Sequence, residues 1–350
     1  MDFADISPKL TVLVYGLVAF VVVVGGLLLL LDVVPTYFAR RRERQLLAIA
    51  AGEIPAPPSG RVGKSREWGF ALIFLLPVLM LLAIGLVVPL VRTTLLSFKN
   101  GGSTDWVGLE NYGWMVTDDG ILGVLWNSLL WVVLVPLVAT SVGLLYAVLV
   151  DKARFESVAK SLIFLPVAIS FVGASIIWKF VYAYRSEEQD QIGLLNQIVV
   201  WLGGTPQQWL LDSPLNTLLL IAVMVWIQAG FAMVILSAAI KAIPADIVEA
   251  ARLDGVTAWQ MFWRVTMPSI RPALIVVVVA ITVATMKIFD IVRTMTNGNY
   301  DTNVIALEMY NQAFRYQQVG QGSALAVFLF ILVIPIVIFQ IRNLRRQREG

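Results

Sequence analysis

Side chains able to do chemistry are few in this sequence, and they fall into two groups. The first lies within long apolar stretches: Gln228, Lys287 and Asp290, with Trp226, Gly230, Phe231 and Met233 beside the first of them. An ionisable group at the centre of a membrane helix costs about 2.5–3.5 kcal/mol on insertion scales, so such groups face a cavity, a partner or the interface. Lys287 and Asp290 are three apart, which on one helix gives them a common face. That face either lines a polar pathway or holds an ion pair that fixes the helix end. Gln228 offers amide hydrogen bonds, Trp226 and Phe231 offer ring faces, and Gly230 permits close backbone approach. Packing between helices through small residues is the alternative.

The second group stands in the segment 241–272, where Glu249-Ala250-Ala251 is followed by Asp254-Gly255, Phe262 and Pro268. Histidine and cysteine are both absent, which excludes Cys/His zinc sites, thiol nucleophiles, Ser-His-Asp triads and histidine-ligated haem. With so few carboxylates inside the apolar stretches, a membrane-embedded enzyme has no constellation to work with. The chemistry to expect is binding and motion.

The elements that must position these residues follow from composition. Of 350 residues, 59% are hydrophobic and 14% charged, against about 45–50% and 25% in soluble chains. The formal charge of +3 is too small for a nucleic-acid protein. A bilayer core needs roughly 20 apolar residues per helix, and seven stretches approach or exceed that: 10–31, 69–91, 128–150, 161–184, 215–240, 273–291 and 324–341. None alternates with period two, so the expected fold is all-α, a polytopic membrane helical bundle.

The first stretch reads as a retained anchor, not a signal peptide. Asp2 and Asp5 outweigh Lys9 before it, the apolar run is too long, and Arg40-Arg41-Arg42 follows. Basic residues accumulate on the cytoplasmic side. With the N-terminus outside, the inner segments carry 18 of the 26 Lys plus Arg and the outer ones 6. The expected topology is N-out, C-in: a six-helix core from residue 69 to 341, preceded by an anchor and Arg/Pro-rich linker (1–68) and followed by a basic tail (342–350). Trp178, Lys179 and Tyr182 read as interfacial anchors.

Local signals resolve 241–272 into two short helices. Pro244 suits a first turn, and Gly255 stands where a left-handed C-terminal residue is expected. Thr257 and Gln260 have the spacing of a capping box, and Pro268 closes the second helix. Such a projection docks into a partner's groove as a rigid knob, or rests on the membrane surface as an amphipathic loop.

Together, Glu249-Ala250-Ala251, Asp254-Gly255, Phe262 and Pro268 resemble the EAA motif of permease subunits in binding-protein-dependent ABC importers. Val107-Gly108-Leu109-Glu110-Asn111-Tyr112, Phe289-Asp290 ahead of Thr296-Asn297-Gly298, and Gly322-Ser323-Ala324-Leu325-Ala326 resemble its carbohydrate branch, the MalF-like, α-glucoside type. Where many relatives have a Gly-Gly-Pro turn, this chain has Asn297-Gly298-Asn299-Tyr300.

The resemblance covers about 69–341 and implies several things. The chain would import an α-linked di- or oligosaccharide across a bacterial inner membrane. It would pair with a second, homologous permease, an ATP-binding subunit dimer and an extracytoplasmic substrate-binding protein. Its loop 244–268 would couple to the ATPase through Glu249, Ala250, Ala251, Asp254, Gly255, Phe262 and Pro268. Sugar would pass near Gly230 and Met233, with Gln228, Lys287 and Asp290 on the pathway. No G-x-x-x-x-G-K-S/T phosphate loop is present, so ATP and Mg belong to the ATPase partner, and this chain binds no cofactor. A stand-alone secondary transporter is the alternative.

Overall fold

The computed structural model describes residues 75–349 except 152–153, plus isolated positions between 37 and 51. The anchor expected at 10–31 lies outside the described residues. The chain divides into two compact units, Met1–Val91 and Arg92–Gly350. Helix α1 (Leu75–Leu96) runs across that division. It contains one wider π turn at Ala83–Val87. Pro89 follows that turn, and its ring would otherwise press on the carbonyl of Gly85 four residues back.

The second unit begins with α2 (Glu110–Thr117) and α3 (Asp119–Val150). Asp118 starts α3 by accepting from the Ile121 amide at 3.0 Å. Next come α4 (Glu156–Phe164), a 3-10 turn Leu165–Ala168, and α5 (Phe171–Val181), bent from the preceding piece by 102°. The stretch 161–184 is therefore two helices meeting at a sharp bend, where one straight span was expected. Pro166 removes one amide donor at the break, and Ser170 restarts the helix by accepting from the Gly173 amide at 3.1 Å.

Beyond an outer loop with α6 (Leu194–Trp201) comes α7 (Leu215–Lys241), then α8 (Ala245–Leu253) and α9 (Ala258–Met286). The chain finishes with α10 (Asp290–Met295), α11 (Ile305–Tyr310) with a π turn at Asn311–Arg315, and α12 (Val319–Glu349).

Helices α1, α3, α7, α9 and α12 are long and apolar enough to span a membrane, and the bent α4–α5 pair makes a sixth if its two pieces are one span. The described residues therefore hold the polytopic helical bundle, with apolar helices at the six expected core stretches. They hold no strand, only one isolated bridge between Lys99 and Trp106.

The core of the second unit is the crossing of α3 and α7. Trp131, Val135 and Ala139 meet Leu220, Met224, Ile227 and Leu236, with Val277 and Ile281 of α9 closing the cluster. Gly143 sets how near the two axes come. A Cβ there would stand 2.4 Å from the Ala232 Cβ and 2.9 Å from the Ala229 carbonyl oxygen. No larger residue fits without moving a helix.

Candidate functional site

At the end that the basic residues assign to the cytoplasm, α7 stops at Lys241 and the chain turns out into α8. Pro244 is the N-cap of α8, one position ahead of its first turn. The helix then ends in a full Schellman motif: the Val256 amide donates to the Ala251 carbonyl (3.4 Å) and the Gly255 amide to that of Arg252 (3.1 Å). Gly255 takes φ +74°, the left-handed conformation this motif requires. Two residues later the expected capping box forms, with Thr257 Oγ1 accepting from the Gln260 amide (3.3 Å) and Gln260 Oε1 from the Thr257 amide (2.9 Å).

The second helix of the projection does not close at Pro268. It widens into a π turn at Phe262–Thr266 and runs on unbroken to Met286. Pro268 clashes least where the carbonyl four back, that of Arg264, is already displaced by the wider turn. The projection and the span α9 are thus one continuous rod.

Nothing in α8 is buried. Glu249, Ala250, Asp254 and Gly255 are all exposed, and Leu253 is 89% exposed. Trp259, Phe262 and Trp263 form a ring cluster with centroids 5.1–6.4 Å apart, in which Trp259 keeps 72% of its surface open. The result is a stiff, two-helix knob with small residues on α8 and an aromatic flank on α9.

The intramembrane candidates are placed differently from one another. Gly230 is a packing position: a Cβ there would lie 2.5 Å from the Ile163 carbonyl oxygen and 3.2 Å from the Phe164 Cα, at the end of α4. Met233 is fully buried in the main core. Gln228 is 9% exposed and its side-chain amide forms no hydrogen bond with the described residues. On another face of α7, this helix, α3 and the α4 break line an apolar groove of about 690 Å³, with Val138, Tyr146, Ile163, Pro166, Trp226 and Ala229 among its walls and without Gln228.

Lys287 and Asp290 do not share a helix. Lys287 is the C-cap of α9, and Asp290 opens α10 after a break at Ile288–Phe289. Among the described residues neither forms an ion pair, and Lys287 is exposed.

Trp178 and Tyr182 are not interfacial anchors either. Tyr182 is 4% exposed and its hydroxyl donates to the Leu219 carbonyl at 3.2 Å. Trp178 packs edge-on against Trp226 at 5.6 Å. Their apolar surroundings on α7 take the rings inward, and only Lys179 of the three remains exposed.

Two sets of long-range polar contacts escape a reading of the sequence. The outer turn 296–302 has Asn297, Tyr300 and Asp301 at positive φ. It is held by Asn216, whose Nδ2 donates to the Tyr300 carbonyl at 2.7 Å, and by Asn127, whose Nδ2 donates to the Asn303 carbonyl at 3.0 Å. At the cytoplasmic end, Lys160 of α4 lies between Asp151 (2.5 Å) and Glu156 (2.7 Å). Ser237 Oγ donates to Asp151 Oδ1 at 2.7 Å and also accepts from Lys160, while Lys241 pairs with Glu156. The only signal of it in the sequence is a polar segment between two spans.

The profile of the family described as binding-protein-dependent transport system inner membrane component matches residues 46–349. The osmoprotective compounds uptake permease protein GgtC of Synechocystis sp. is 51% identical over 276 residues, which is 79% of this chain and 99% of the relative. The alpha-glucoside transport system permease protein AglF of Rhizobium meliloti is 46% identical over 286 residues, 81% of this chain and 84% of the relative. A solved bacterial ABC transporter involved in import of the acidic polysaccharide alginate has the same fold. Its TM-score is 0.69 at 23% identity, over 81% of this chain and 96% of that one.

Proposed function

The chain belongs to the family of binding-protein-dependent transport system inner membrane components, and from that premise we propose that it is one permease of an ATP-driven importer for an α-linked di- or oligosaccharide. A second, homologous permease lies beside it in a bacterial inner membrane. Two ATPase subunits bind below, and an extracytoplasmic binding protein delivers cargo above. The observation that carries the coupling half of this reading is the knob of α8 and the start of α9. It is exposed, capped at both internal junctions and continuous with a membrane span.

Closure of the ATPase dimer around ATP and Mg pushes this knob. Glu249 and Asp254 give its surface charge, Ala250 and Ala251 allow close approach, and Gly255 fixes the angle to α9. Phe262 stiffens the ring cluster, and Pro268 sits where the π turn hands force on to the span. The helices then rock to face outward, accept the sugar, and return after hydrolysis. In the membrane, Gln228 is the group best suited to a sugar hydroxyl, since its side-chain amide has no partner within the described residues; Trp226, two positions away, lines a different face of α7. Gly230 and Met233 shape the wall by packing. Lys287 and Asp290 act at the outer mouth, as separate polar groups on either side of a helix break.

The likeness to an α-glucoside permease supports the sugar class. A second reading, that the cargo is an osmoprotective compound, is favoured by the similarity to the uptake permease of that name. Reconstituted importer, given binding protein loaded with α-glucosides, other sugars or osmoprotectants, should show the largest rise in ATP hydrolysis and uptake with its own cargo. No stimulation by any α-glucoside overturns the sugar assignment. Uptake that survives without ATP and collapses with an ionophore overturns the importer itself.

A further inference from the structure

The projection needs a way to pass its displacement to the membrane interior, and the group around Lys160 stands at its root. Asp151 caps the end of α3, Glu156 and Lys160 lie on the first two turns of α4, and Ser237 and Lys241 on the last two of α7. Two acids and two bases balance in charge. The site is not a surface accident: Ser237 is 2% exposed, and the side chains of Lys160 and Asp151 are only 21% and 13% exposed. Lys160 joins all three helices through Asp151, Glu156 and Ser237, and Ser237 closes the link by donating to Asp151. Partly buried networks of this kind are screened little by salt, and removing one member strands the others.

A second attachment lies about two turns deeper. Gly230 of α7 is so close to the Ile163 carbonyl and Phe164 that no side chain fits between them. Helices α4 and α7 are therefore joined at both ends of α4, by charge at the cytoplasmic end and by backbone contact at the break. A 3-10 turn at Leu165–Ala168 follows, and between Ala168 and Phe171 the chain bends by 102°. Only residues 242–244 separate Lys241 from α8.

We propose that Lys160, held by Asp151, Glu156 and Ser237, is a positioning residue that ties the root of the coupling projection to α4, so that movement of the projection is delivered to the break between α4 and α5. Without it, α7 moves while α4 stays with the lipid, and ATP turnover no longer changes the geometry at the break. The inference rests on the coupling role given above to the 244–268 projection, and it adds the intramembrane end of that path.

The test uses the complete reconstituted importer with its binding protein. Lys160→Met keeps the aliphatic stem and removes the charge; Lys160→Arg keeps the charge; the double variant Asp151→Asn/Lys160→Met removes a charge of each sign. In Lys160→Met, uptake per ATP hydrolysed should fall roughly tenfold while basal hydrolysis stays within about twofold of the native rate, and Lys160→Arg should restore most of the loss. The native chain has no cysteine, so spin labels at introduced cysteines replacing the exposed Leu162 and Ile177 report on the break directly. Their separation should change on ATP binding in the native chain and not in Lys160→Met. If Lys160→Met does not assemble, the charge-balanced double variant carries the same expectation.

Unaltered uptake per ATP together with a native change in label separation overturns the inference. Gly255→Val, run alongside, keeps the two levels apart. If it uncouples while the Lys160 variants do not, the projection keeps its role and the network loses its own. If Gly255→Val remains fully coupled, the role of the projection itself fails.

Discussion

The cytoplasmic projection and the outer turn 296–302 are both short, irregular and placed between membrane helices, yet they are held in opposite ways. The projection is specified by neighbours in sequence: Pro244 starts α8, Gly255 ends it, and Thr257 with Gln260 starts α9. Its hydrogen bonds span at most five residues. The outer turn is specified from far away. Asn216 and Asn127 reach it from two other helices across 84 and 176 residues of sequence, and without them three non-glycine residues would have little reason to stay at positive φ. A locally coded element keeps its shape when the bundle moves. A remotely pinned one changes shape or stability with the helices that pin it.

Substitutions can break this contrast or sharpen it. The largest effect is expected from Asn216→Ala, which leaves the Tyr300 carbonyl without its buried donor and should lower the stability of the detergent-purified chain by about 2 kcal/mol. A thermal melt indistinguishable from the native one would show that the turn is not pinned from α7. Gly255→Val comes next, with a local strain of about 1–2 kcal/mol from a β-branched residue in the left-handed region. Because α8 makes few contacts with the rest, the melt should hardly move, whereas binding-protein-stimulated ATP hydrolysis should be lost.

Thr257→Ala removes one half of the capping box and should cost about 1 kcal/mol locally. It should be visible as faster amide exchange at residues 258–261 with an unchanged global melt; a global shift of equal size would mean that the projection is not an independent unit. The smallest effect has the opposite sign. Tyr300→Gly relieves a positive φ and should leave stability unchanged or raise it by less than about 1 kcal/mol. Destabilisation would show that the Tyr300 ring is itself a pin.

The same contrast explains what could be read in advance. The six apolar core stretches, the left-handed Gly255 and the capping box all depend on periodicity or on near neighbours, and each was legible from residue types. The break in 161–184 was not. Its apolar run is continuous, and the fold compensates the bend with a contact to Gly230 more than sixty positions away. Pro166, with Ser170 and Gly173 following, was the available sign.

Lys287 and Asp290 have helical spacing, but α9 ends between them because the Lys287 and Ile288 amides bond three residues back and close the helix. Trp178 and Tyr182 looked interfacial by type, and tertiary burial against α7 overrode that preference. The charge network at Lys160 joins three helices, so no single window of sequence contains it.

The π turn at Phe262–Thr266 makes a lever of α9. A helix of 29 residues from Ala258 to Met286 is about 43 Å long at the usual rise. If it pivots near its middle, a tilt of about 5° imposed at Trp259 moves the far end by roughly 2 Å in the opposite direction. That far end carries Lys287 and the hinge-like break before Asp290. A closed helix end at Pro268 would have absorbed the tilt in a joint. By widening one turn instead of breaking there, the helix would pass a push on the projection to its far end as a swing in the opposite direction, with no moving part in between.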